Sequence, residues 1–212
     1  MMFFSREFLT QANNIKTNNL SVSVSNYTTW YIDKSGNLYG CGYNKYGQQG
    51  SGNLTDVTPF TQRASNVAQV VCSTNTTWYI DKSGNLFGCG RNNYGQQGSG
   101  NLTDVTTFTQ RASNVAQVVC SEDTTWYIDK DGNLYGCGKN SFGQQGSGNT
   151  ATVTTFTQRA SNVAQVVYSK ETTWYIDKDG NLYGCGLNGQ GQQGSGDTTN
   201  VLTFTKRIEE IL

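Results

Sequence analysis

The chain has 212 residues, and its 15 Lys and Arg cancel its 15 Asp and Glu, which leaves no electrostatic case for holding nucleic acid or an anionic membrane. Histidine is absent, which excludes Ser-His-Asp and Cys-His catalysis, histidine metal ligation and a histidine pH switch. Only 14% of residues are charged although mean hydropathy is −0.55; the polarity lies in Asn, Thr, Ser, Gln and 25 Gly, a composition suited to short strands joined by glycine turns.

The first segment, residues 1–17, reads as an N-terminal extension. Its start, MMFFSREFLTQ, has a short apolar patch, no basic stretch before it, and then Arg6 and Glu7, so it makes a poor signal peptide. Within it, FLTQANN (8–14) resembles FTQRASN (108–114) and is expected either to add a strand to the last repeat or to mark a longer array. No apolar run approaches the roughly 18 residues of a membrane-spanning helix. From residue 18 to 207 the chain repeats itself: Trp30, Trp78, Trp126 and Trp174 are 48 residues apart, as are Cys41, Cys89, Cys137 and Cys185, and Phe60, Phe108, Phe156 and Phe204. The repeats run about 18–66, 67–114, 115–162 and 163–207, and the two middle copies differ at only ten positions. Such spacing means one supersecondary unit used four times. The tail 208–212, IEEIL, reads equally as a short helix or a closing strand.

Each unit predicts four strands. In the second copy, VAQVVCS (67–73) is apolar on both faces, as a strand between two sheets should be. TTWYID (76–81) is β-branched and aromatic, a DKSGN turn leads to NLFGCG (85–90), and a glycine-rich GQQGSGN connection precedes VTTFTQR (105–111). The last strand is the most polar and is expected outermost, with VAQVV innermost. A repeated four-stranded meander of this length is a propeller blade. The fold class is therefore all-β: a β-propeller-type array of four four-stranded blades, closed or part of a larger ring.

The segment TTWYIDKSGNLYGCGYNKYGQQGSGN (28–53) resembles the repeat of the regulator of chromosome condensation family. Gly36, Leu38, Tyr39, Gly42, Asn44, Gly47, Gln48 and Gly50 match its pattern, and the G-x-N-x-x-G-Q-x-G core recurs in every copy. Thr28, Cys41 and Gln49 stand where that repeat has histidine, tryptophan and leucine. The resemblance implies a propeller, with seven blades usual in the family. Its activities range over guanine-nucleotide exchange, chromatin-binding scaffolds, ubiquitin-ligase parts, bacterial effectors and a β-lactamase inhibitor, so it implies fold and not activity.

Four motifs invite chemistry, and each has a plainer reading. The six cysteines (Cys41, Cys72, Cys89, Cys120, Cys137 and Cys185) sit at equivalent places on sheets about 10 Å apart, beyond disulfide reach. They are expected to be free thiols filling a core in a reducing compartment, rather than a zinc ring. D-K-D-G-N, with Asp129, Asp131 and Asn133 and then Asp177, Asp179 and Asn181, has the look of a calcium loop, but Ser35 and Ser83 replace its second acid, so a plain turn is preferred. GQQGSG lacks the lysine and helix of a phosphate loop. Arg63, Arg111, Arg159 and Arg207 recur on the outer strand and are expected to pair with Asp or backbone carbonyls between blades.

The copies disagree in two places: after the first strand (Asn26 and Tyr27, Thr74 and Asn75, Glu122 and Asp123, Lys170 and Glu171) and after the third (Tyr43 and Tyr46, Arg91 and Tyr94, Lys139 and Phe142, Leu187 and Gln190). In a meander these two connections lie at the same end. Either exposed loops drift there, or that end binds a partner on a rigid scaffold. Tyr27, Tyr43, Tyr46, Arg91, Tyr94, Glu122, Asp123, Lys139, Phe142, Lys170 and Glu171 form the candidate partner-binding face, on which aromatic and arginine side chains would anchor. The expectation is a non-enzymatic, cytoplasmic protein-binding scaffold with no cofactor or metal, no nucleic acid and no membrane. It would form a homodimer if the four blades do not close alone. A guanine-nucleotide exchange or GTPase-directed regulator, a carbohydrate-binding propeller using the repeat tryptophans, and an amplified or designed repeat with no selected activity are the alternatives.

Overall fold

Short β-branched and aromatic runs divided by Ser-Gly and Asp-Gly turns can satisfy their backbones only by pairing with the next run. The computed structural model describes residues 22–210; FLTQANN lies outside them. The first sheet is β1 (Val22–Val24), β2 (Thr28–Ile32), β3 (Leu38–Gly42) and β4 (Val57–Ala64). Then come β5 (Val67–Cys72), β6 (Thr76–Asp81), β7 (Leu86–Gly90) and β8 (Val105–Ala112), and next β9 (Val115–Cys120), β10 (Thr124–Asp129), β11 (Leu134–Gly138) and β12 (Val153–Ala160). The last is β13 (Val163–Tyr168), β14 (Thr172–Asp177), β15 (Leu182–Gly186) and β16 (Val201–Ile208). Each sheet is an antiparallel meander in sequence order. The start of the IEEIL tail is thus strand, since β16 runs through Ile208. Among the described residues no helix is long and apolar enough to cross a membrane.

The β2–β3 hairpin is closed by an aspartate. Asp33 Oδ1 accepts from the backbone N–H of Ser35 and Asn37 at 2.9 and 2.8 Å, Oδ2 accepts from Asn37 Nδ2 at 2.9 Å, and Gly36 takes a φ of +87°. The bonds from Asn37 hold the Asp33 carboxyl below its ordinary range. Asp81, Asp129 and Asp177 repeat the arrangement. The second acids have another use: Asp131 and Asp179 accept from Asn114 and Asn162 Nδ2 at 2.8 and 2.7 Å, fastening each hairpin to the link between blades.

That link explains its own constancy. Asn66, Asn114 and Asn162 stand at φ near +60°, a conformation asparagine tolerates and β-branched residues do not. The Asn66 carbonyl accepts from Lys82 N at 2.8 Å, and Val67 N donates to Gly36 O at 2.9 Å. QRASN therefore varies little because its backbone path admits few residues.

The core lies between sheets. Trp30, Trp78 and Trp126 are fully buried and meet Phe108, Phe156 and Phe204 of the following blade edge to face, with ring centroids 5.8, 5.8 and 5.9 Å apart. Around the first pair pack Ile32 and Leu38 from one blade and Val67, Val70 and Tyr79 from the next. At about 1.5–3 kcal/mol for each fully buried large apolar side chain, each interface is a substantial part of the fold. Gly88 makes room for it, because a Cβ there would strike the Trp78 ring and lie 2.6 Å from Gln97 Oε1. Isolated bridges Ser51–Thr107, Ser99–Thr155 and Ser147–Thr203 lace neighbouring blades.

All six cysteines are free thiols. Cys89, Cys137 and Cys185 each direct Sγ at a glutamine backbone carbonyl of the preceding blade, 3.4 Å away. Burial pushes the Cys120 thiol up to about 12 and raises Cys72, Cys89, Cys137 and Cys185 as well, so these thiols are poor nucleophiles. The expected arginine pairing is corrected: among the described residues the ion pairs use Lys45, Lys139 and Lys206, and the buried Nε of Arg63, Arg111, Arg159 and Arg207 has no partner.

Candidate protein-binding rim

A glycine positions the variable residues. Gly42 ends β3 at a φ of +112°, and a Cβ there would collide with Tyr27 O. Without one, the chain closes onto the first connection, and Tyr43 N donates to Tyr27 O at 2.9 Å. Arg91 to Asn75, Lys139 to Asp123 and Leu187 to Glu171 repeat that bond, each at 2.9 Å. In every blade a backbone bond pins the two variable connections together, and because it uses no side-chain atom the side chains there are free to differ.

Three buried side chains of types common to all copies complete the frame. Asn92 donates through Nδ2 to Ser99 Oγ, Asn101 O and Thr103 O at 2.9, 2.9 and 3.0 Å, accepts from Gln97 N at 2.8 Å, and its own N–H reaches Asp104 Oδ1 at 2.8 Å. Asn44, Asn140 and Asn188 hold their loops through the same Nδ2 bonds. Gln96 accepts from Tyr94 N at 2.8 Å and donates to Glu122 O of the next blade at 2.9 Å, so it joins one blade's rim to its neighbour's. Gln97, at the position where the resembled repeat has leucine, is buried and donates to Cys89 O at 2.8 Å. Sequence reasoning missed these glutamines as structural; the only signal was their invariance among the four copies.

On this frame the candidate residues gather at one end, as expected. Tyr27, 61% exposed, meets Tyr43 at 5.8 Å, and Tyr43 meets Tyr46 at 6.3 Å. Arg91 of the second blade lies over the Tyr46 ring at 5.1 Å, and Lys139 of the third lies over Tyr94 at 5.5 Å. Phe142 and Glu171 are half-buried, while Glu122 and Lys170 are exposed. Asp123 is buried and lies 3.7 Å from the Lys139 ammonium, beneath the rest of the set. The remaining surface carries two groups of rings and cations across three blades, Tyr27, Tyr43, Tyr46 and Arg91 on the first two and Tyr94 with Lys139 on the second and third.

Among the described residues, no three His, Cys, Asp or Glu side chains cluster to hold a metal. An open trough of about 300 Å³ is lined by Ser51, Asn53, Thr55, Asp56, Pro59 and Arg63, among others. The buried tryptophans remove the sugar platform from three blades.

Residues 67–96 and 115–144 match the family model described as "Regulator of chromosome condensation (RCC1) repeat". A sequence search among curated proteins finds no match. Human WBSCR16 is similar in structure with a TM-score of 0.75 at 22% identity, over 92% of this chain and 55% of that one. Prp20p from Saccharomyces cerevisiae gives 0.74 at 18% identity, over 92% and 51%, and yeast RCC1 (Prp20) bound to Kap60 gives 0.74 at 18%, over 91% and 49%. The chain spans about half the length of these structures. Four like blades make the chain a propeller-type array, and two of them carry segments, residues 67–96 and 115–144, that match the RCC1 repeat.

Proposed function

We propose that this array is a non-enzymatic protein-binding scaffold whose recognition surface is the variable rim. One observation carries the reading: the strip Tyr27, Tyr43, Tyr46 and Arg91, together with Tyr94 and Lys139, stands on backbone held by residues common to all copies. Rings and guanidinium groups on a rigid frame are what interfaces use as anchors. The rim carries both signs of charge, which suits a protein better than a polyanion. Prp20p, whose fold this chain resembles, is described with its binding to Gsp1p and histones; this supports a protein partner, and a GTPase-directed role is the finer form of the reading.

The test replaces Tyr46, Arg91, Tyr94 and Phe142 with Ala together. Since all four lie outside the strands, unfolding free energy should fall by no more than about 2 kcal/mol, while affinity capture should lose the specific partner. Changing Lys34, Lys82, Lys130 and Lys178 to Ser on the opposite end should leave capture intact. Loss in the lysine set alone would put the binding surface at the wrong end, and no loss in either set would mean the loops differ by drift.

A further inference from the structure

The repeat makes one interface three times and, among the described residues, leaves its two halves bare on the first and last blades. On the first blade, Phe60 occupies the position of Phe108, Phe156 and Phe204; its only ring contact among the described residues is Tyr31 of its own blade at 5.1 Å, and it is 49% exposed. Val22, the counterpart of the buried Val70, is 61% exposed. On the last blade, Trp174 is half-buried and has no ring partner among the described residues, unlike its three equivalents. A cavity of about 140 Å³ opens beside it, lined by Val167, Trp174, Ile176 and Leu182 among others. The glycines agree. A Cβ on Gly98 or Gly146 would lie 2.5 Å from the Phe156 or Phe204 ring of the next blade, whereas Gly191 and Gly194 have no described atom within 4 Å.

We propose that two copies of this 212-residue chain join head to tail, the fourth blade of each receiving the first blade of the other. Phe60 would seat against the partner's Trp174 as Phe108 seats against Trp30. The complementarity needs no invention, because the same residue types already form this contact at each of the three internal joints. A heterologous contact either closes or propagates. Two four-blade arcs closing give eight blades, within the usual four to eight of propellers, and a closed pair leaves no apolar face in water.

The experiment measures particle mass by sedimentation for the full chain and two blocked variants. The wild-type chain should sediment as two chains rather than one of 23.2 kDa. Gly194→Asn should be a single chain that melts at the same temperature as the single-chain Phe60→Asp variant, since asparagine tolerates the φ of +61° and meets no described atom in one copy, yet would strike an incoming Phe60. Phe60→Asp should also be a single chain. Mixed in equal amounts, the two variants should form a one-to-one pair, because each retains the end the other lacks. A wild-type chain that stays single overturns the proposal, including the case in which residues 1–21 cover the fourth blade. So does a Gly194→Asn chain that still pairs with itself, or a mixture that stays single.

Discussion

Replacing Trp126 with Ala should lower unfolding free energy by about 3–5 kcal/mol, the usual cost of removing a fully buried large ring. Trp126 is fully buried against Phe204, and its Nε1 makes no hydrogen bond, so what is lost is ring packing and the cavity left behind. The same change at Trp174, half-buried and without a ring partner, should cost roughly half as much or less in a single copy, measured with pairing blocked by Phe60→Asp. Urea denaturation monitored by circular dichroism compares the two. Equal losses would show that the internal joint contributes nothing beyond the blade's own packing. A loss below about 1 kcal/mol at Trp126 would mean that its ring is exposed.

A comparable effect is expected from a single polar side chain. Asn92→Ala removes the donor to three loop oxygens and the acceptor for Gln97 N, all around a residue with no exposed surface. At about 1 kcal/mol for each bond made, and more for each buried group left unpaired, the cost should reach about 3 kcal/mol. For a chain of this size that lowers the melting temperature by roughly 6–12 °C. Asn92→Asp should be no better, since it turns a carboxylate oxygen toward three carbonyl and hydroxyl oxygens. A calorimetric shift under about 2 °C for either variant would show that the loop holds itself without the asparagine.

Much of this architecture was legible because four copies repeat one answer. Strand order, the Asp-Gly turns, the tryptophans between sheets and the free thiols all follow from residue types at fixed offsets. The clustering of the variable residues at one end follows from the parity of a meander. Three things did not show. Gln97 and its equivalents look like surface residues in composition, and only the Cys89 carbonyl they serve explains them. The arginine on each outer strand looks like half of an ion pair, yet its buried Nε has no hydrogen-bond partner, and nothing in its residue type or spacing signals that. Nor could sequence tell that QRASN stays constant because of a left-handed asparagine. That removes one argument for the rim, since the opposite end is constrained by the backbone rather than spared by a partner. What remains is the strip of rings and cations itself.

Amide hydrogen exchange of the chain with and without its captured partner reads directly whether a partner docks on that strip. New protection should fall on residues 43–46, 91–94 and 139–142, with the hairpin turns at 33–37, 81–85 and 129–133 unchanged. Protection confined to those turns would place the partner at the other end of the array and contradict the assignment.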